Sequence, residues 1–215
     1  MNFFEVFIDT YDVFLQGMLL TFQLTVVSVL IAIFIGLFFA FLKISKVKPL
    51  EIIADIYIFI VRGTPLVVQI FIFYFGLTAL HISGFWSVVL GLAFHNGAYI
   101  AEIFRGAIQS IDKGQTEAGR SLGMSVGLTM RRIILPQAFR RALPPLGNQF
   151  IIALKDSSLA SFIGMFELFS VATTLGSNNF DYMTYLLIVA VYYLVLVLIF
   201  SIIVNFVEKR MAASD

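Results

Sequence analysis

Five long apolar runs set the terms for the rest of this chain. They cover residues 18–42, 52–75, 85–104, 146–166 and 182–206. Each can cross a bilayer core as a helix, which takes about 20 residues. Lipid offers the backbone no hydrogen-bond partners, so spans of this kind must satisfy their own amides as helices. Only 13% of the 215 residues are charged, against about 25% in a soluble domain. The expectation is an all-α membrane protein with about five transmembrane helices, folded as a single domain over residues 1–215. The fourth run is the least uniform, because "LKDSS" (residues 154–158) sits in its middle.

The cations give the orientation. Of the 14 Lys and Arg, all but Arg62 and Lys155 lie in segments that follow the first, third and fifth runs. Cytoplasmic segments carry this excess, which places the N-terminus outside, the C-terminus inside and residues 110–137 in the cytoplasm. The opening "MNFFEVFIDTYD" is acidic where a signal peptide is basic, so no cleaved leader is expected. Phe4, Phe7, Tyr11 and Phe14 recur at helical spacing, with Glu5, Asp9 and Asp12 on another face. Residues 1–15 therefore read either as an amphipathic helix at the membrane surface or as an extension of the first span.

The polar interruption "TEAGRSLGMSVGLTMRRIILPQ" (residues 116–137) is unexpected in so apolar a chain. Thr116 can cap a short helix, with Glu117 and Ala118 suiting its first turn. Leu122 and Met124 supply apolar contacts, and Gly123 permits a sharp turn at the end. A second helical stretch, 128–135, carries Arg131 and Arg132. Pro136 is expected to break or bend the chain, and "LPP" (143–145) to do so again before the fourth span. The result is a short helix lying along the membrane on two ordered arms, able to pass force to a soluble partner.

That loop resembles the permease signature of ATP-binding-cassette importers: Glu-Ala-Ala, three residues, Gly, nine residues, Ile, one residue, Leu-Pro. Here Glu117, Ala118 and Gly119 are followed by Gly123 and then by Ile133, Leu135 and Pro136 at that spacing. Gly119 stands where alanine is usual, which is expected to loosen the helix. "GMLLTFQLTVVSVLIAIFIG", "VRGTPLVVQIFIFYFG", "NGAYIAEIFRGAIQSI" and "ALKDSSLASFIG" resemble segments of the polar amino acid permease subfamily. The resemblance implies the type I importer permease fold. Glu117, Ala118, Gly119, Leu122, Gly123 and Met124 would form a coupling helix seated on an ATPase subunit. It implies two such ATPase subunits using ATP and Mg, a second permease chain (identical or paralogous), and an external or periplasmic amino-acid-binding protein. The location implied is the plasma (inner) membrane of a prokaryote. No cofactor is expected in this chain itself.

Four charges lie within the spans: Arg62, Glu102, Lys155 and Asp156. Intramembrane charges are costly and mark a paired or functional position. One reading is structural, with Arg62 pairing Glu102 or Asp156. The other is a midplane site for a zwitterion. Arg62 would take the α-carboxylate, as guanidinium does bidentately, and Asp156 or Glu102 the amino group or a cationic side chain. Thr64, Ser157 and Ser158 would add hydrogen bonds. Broken helices at the midplane are where transporters hold substrate, and Gly63-Thr64-Pro65 interrupts the second run. Two acids hint at arginine, lysine or histidine; the same segments also resemble permeases for glutamine and glutamate.

Rival classes are weaker. A channel or carrier independent of ATP gives no reason for the loop's spacing. A Lys155–Ser158 dyad lacks an established geometry. There is no cysteine, and His81 and His95 alone do not suggest a metal site. No P-loop occurs, so the chain is not expected to be an ATPase or other enzyme. The net charge of +1 leaves no footprint for nucleic acid, and none is expected as a partner.

Overall fold

The computed structural model describes residues 2–212; Met1 and residues 213–215, the ends of the expected domain, lie outside the described residues. Ten α-helices, joined by short π and 3-10 turns, make up the described part. Helix α1 (Phe3–Asp9) stops at Thr10, and α2 (Tyr11–Ile44) begins at once. The expected helix over 1–15 is thus two pieces. Val6 is buried, and Phe7 and Phe14 both stack on Tyr192. Aromatic packing against Tyr192 anchors one side of this end, while Phe4, Ile8 and Tyr11 remain exposed on the other.

Helices α3 (Lys48–Gly63) and α4 (Leu66–Phe71) with its π turn (Ile72–Gly76) form the second span, bent by 105° at the break. Helix α5 (Gly84–Gln109) is the central element, with Ser83 accepting from Trp86 N at its start. It lies against α2 along a seam of small residues. A Cβ added to Gly36 would come within 2.8 Å of Ile100 Cβ, and one added to Gly97 within 2.7 Å of Ile35 Cγ2. Small side chains let membrane helices approach this closely.

The polar loop is fully ordered. Helix α6 (Lys113–Ser121) is capped by Asp112, which accepts from Gly114 N at 2.7 Å. Thr116 is therefore not the cap, because the helix starts a turn earlier. Helix α7 (Val126–Thr129) runs through a π turn (Met130–Ile134) into α8 (Leu135–Asp156). Of the break or bend expected at Pro136 and at 143–145, no break occurs: the helical path continues from Val126 to Ile163. Pro136 follows directly on the π turn, where the Leu135 amide already donates to Met130 O in the wider π pattern rather than the α ladder. Pro144 and Pro145 stand inside the helix, in its cation-rich portion beside exposed Arg140 and Arg141. Water at headgroup depth can solvate the freed backbone there.

A 3-10 turn (Ser157–Ile163) ends α8, and α9 (Leu168–Asn178) leaves it at a 48° bend. The segment 167–181, polar in part, is largely helix. Buried Glu167 caps α9 by accepting from Phe169 N and Ser170 N at 2.9 and 2.8 Å, and takes the Tyr193 hydroxyl at 3.2 Å. Helix α10 (Tyr182–Ala212) presents exposed Leu194, Leu198, Ile202 and Phe206 as a face suited to lipid. Three single helices are long and apolar enough to span a bilayer, and two bent pairs bring the number up to the expected five if each pair is one span.

Candidate functional site

The second span breaks at Thr64–Pro65 for a chemical reason. Pro65 has no N–H, so the Val61 carbonyl four residues earlier loses its helical donor. Gln69, buried on α4, reaches back to replace it: its Nε2 donates to Val61 O at 2.9 Å, to Thr64 Oγ1 at 2.9 Å and to Thr64 O at 3.3 Å. Thr64 Oγ1 in turn donates to Ile60 O at 2.8 Å. His95 Nδ1 lies 3.3 Å from Gln69 Oε1, tying the break to α5. Gln69 was not singled out from the sequence; a Gln four residues past a proline in an apolar run is the signal that would have found it.

The two interrupted spans meet. Leu66 and Ile70 of α4 pack with Val88, Val89 and Leu92 of α5 and with Ala160 of the 3-10 turn in one buried cluster. Below it, buried Gln149 of α8 donates to Asn96 Oδ1 of α5 at 2.7 Å. The Ser157 hydroxyl is buried and donates to Leu154 O at 2.8 Å. Asp156 and Ser158 are half-buried beside it, and Lys155 is exposed. Among the described residues no Lys155–Ser158 hydrogen bond forms.

Arg62 pairs with neither Glu102 nor Asp156. Its guanidinium lies 5.1 Å above the Tyr99 ring, a cation–π contact, and the side chain is exposed at the edge of an open cavity of about 590 Å³. Asp55, Lys43 and Tyr99 line the same cavity. Glu102 is held elsewhere: Arg105 Nη2 and Nε donate to its Oε2 at 2.6 and 3.0 Å, and Lys43 Nζ approaches its Oε1 at 3.2 Å. Lys43 also meets Asp55 Oδ1 at 2.7 Å. Lys43, read from the sequence only as an orientation signal, thus joins α2, α3 and α5. Nothing in its spacing announced that, because helix packing chooses such partners.

At the other end of the chain's polar loop, α6 closes in a Schellman turn. Gly123 N donates to Arg120 O at 3.0 Å and Met124 N to Gly119 O at 3.1 Å, with Gly123 at φ +79°, where glycine is the unstrained choice. Glu117, Ala118 and Leu122 are exposed, Leu122 by 81%. Met124 is half-buried. Gly119 is buried, and a Cβ there would meet Thr129 Cγ2 at 2.9 Å and Ile133 Cδ1 at 3.1 Å. The expected loosening is therefore corrected: glycine at this position lets α6 sit tightly on the chain that follows it.

Residues 13–213 match the family model described as "Binding-protein-dependent transport system inner membrane component". The chain belongs to that family. It is 37% identical to the arginine transport system permease protein ArtQ of Bacillus subtilis (strain 168), over 99% of this chain and 98% of that one. It is 40% identical to the glutamine transport system permease protein GlnP of Escherichia coli (strain K12), over 92% of each chain. The crystal structure of an amino acid ABC transporter with histidines superposes with a TM-score of 0.91 at 40% identity, covering 98% of this chain and 99% of that one. These relatives make the chain an amino acid ABC permease, a transport subunit rather than an enzyme, and an inner-membrane component of a binding-protein-dependent importer. Family membership in turn implies an ATPase and a substrate-binding protein as partners.

Proposed function

We propose that this permease carries basic amino acids (arginine, lysine or histidine) inward by alternating access, with Arg62 receiving the α-carboxylate. The observation that carries this reading is an exposed guanidinium at the break of an apolar span, bordering a cavity and free of any carboxylate partner among the described residues. An uncompensated cation so deep in a span favours an anionic ligand group. Thr64 and Ser157 spend their hydroxyls on the two breaks and serve as its frame. Asp156 and Ser158 remain available to the ligand's amino group. Glu102, engaged by Lys43 and Arg105, acts through its neighbours rather than by direct contact.

Energy enters through α6. Two ATPase subunits, using ATP and Mg, would each grip the exposed surface around Glu117, Ala118 and Leu122 of one permease chain. A second such chain completes the pore, identical or paralogous, in a prokaryotic plasma membrane. A second reading, glutamine as substrate, is favoured by one feature: every acid of the Lys43 cluster already has a cation beside it.

The test is uptake of labelled lysine, arginine and glutamine into proteoliposomes holding the permease, its ATPase and its binding protein, with and without ATP. ATP-dependent accumulation of the basic amino acids alone is the expected outcome. Accumulation of glutamine instead would keep the importer and discard the basic substrate. An Arg62→Gln permease should lose uptake of all three.

A further inference from the structure

We propose that Asp55 is the residue that selects a cationic side chain, and that Lys43 occupies it while the cavity is empty. This rests on the reading of Arg62 as the carboxylate receptor. Asp55 and Arg62 both belong to α3, seven residues and so about two turns apart on one face. Both line the same cavity, and Tyr99 forms part of its wall. The two Cα atoms differ by roughly 10 Å along the helix axis. Side chains of a helix tilt toward its N-terminus, which leans Arg62 toward Asp55. A cavity with a guanidinium at one end and a carboxylate at the other fits a ligand with the opposite order: a carboxylate, a flexible stem and a terminal cation. That is the chemistry of lysine and arginine.

Asp55 is already neutralised, by Lys43 Nζ at 2.7 Å. The same ammonium stands 3.2 Å from Glu102 Oε1, so it can leave Asp55 without being stranded. Asp55 is also the accessible member, its side chain 56% exposed against 22% for Glu102. A ligand cation entering the cavity therefore exchanges with Lys43, which falls back on Glu102. A neutral side chain brings no charge with which to displace it. Lys43 is in effect a tethered imitation of the cargo's side chain, and the exchange filters the basic amino acids from the neutral ones.

The experiment is equilibrium binding of labelled arginine, lysine and glutamine to the purified permease–ATPase complex without its binding protein, so that only the transmembrane site is read. Asp55→Asn should weaken arginine and lysine by about tenfold, the loss of one charge-assisted hydrogen bond, and leave glutamine unchanged. Asp55→Glu should restore the preference. Lys43→Met, which empties Asp55 of its tether, should raise arginine binding relative to glutamine. If Asp55→Asn lowers glutamine as much as arginine, or lowers neither, the selective role is wrong. If Arg62→Gln leaves arginine binding intact, or the wild-type complex binds no amino acid, the site reading underneath fails instead.

Discussion

Gln69 shows how a single side chain makes a broken span tolerable in lipid. It is the substitute for an amide that Pro65 does not have, delivered to Val61 O from one helix further on. Gln69→Leu keeps the bulk but leaves that carbonyl buried and unpaired, a cost of about 1–3 kcal/mol. The expected result is a lower melting temperature of the purified complex and faster hydrogen exchange across the 61–69 break. Unchanged melting and exchange would mean that water supplies the missing donor. At this scale the sequence told half the story. Arg62 was legible because a charge in an apolar run must be either paired or functional, and in the structure it has neither Glu102 nor Asp156 beside it. Glu102 was only partly legible: Arg105 stands at i,i+3 from it on the same helix, whereas Lys43 reaches it through packing between α2 and α5 that no spacing encodes. Thr64 and Ser157 read as ligand groups because a hydroxyl in a span advertises itself; that each was committed to a nearby carbonyl required coordinates.

Elements were easier to read than contacts. Length and apolarity located the three unbroken spans and the two bent pairs, and Gly63-Thr64-Pro65 located the bend in the first pair. The prolines of the loop misled, because the same residue that breaks α3 from α4 follows a π turn at the start of α8 without breaking the helix. The glycines carried information of another sort. Gly36 sits where α2 and α5 nearly touch, with Ile100 side-chain atoms at 2.5 and 2.8 Å and Ala101 N at 3.0 Å from a would-be Cβ. Gly36→Val would force the two helices apart and should cost about 1–3 kcal/mol through overpacking. Its signature would be lower yield of assembled complex and a lower melting temperature, whereas Gly106→Ala, where nothing lies within 4 Å, should be neutral. Equal behaviour of the two variants would dismiss the seam.

For the whole molecule, the decisive arrangement is that the exposed tip of α6 lies just ahead of a helical path leading into the second broken span. Leu122 contributes almost nothing to this chain's own core, being 81% exposed. Leu122→Glu should therefore leave melting unchanged yet abolish most ATP-dependent uptake, since the charge would be driven into an apolar contact on the ATPase. Gly123→Arg is a poorer probe, because φ +79° adds backbone strain of about 1–2 kcal/mol to any loss of docking. Full uptake by Leu122→Glu would rule out α6 as the point of contact. From Val126 the helical path runs without interruption to Ile163 before it bends, roughly 55 Å at the usual rise. A shaft of that kind keeps phase as well as length. One residue inserted between Leu135 and Asp156 would turn its far end by about 100° relative to its foot, swinging Asp156 and Ser158 to a different side. At its exposed positions the spelling of this shaft can change one residue at a time, while its residue count is locked.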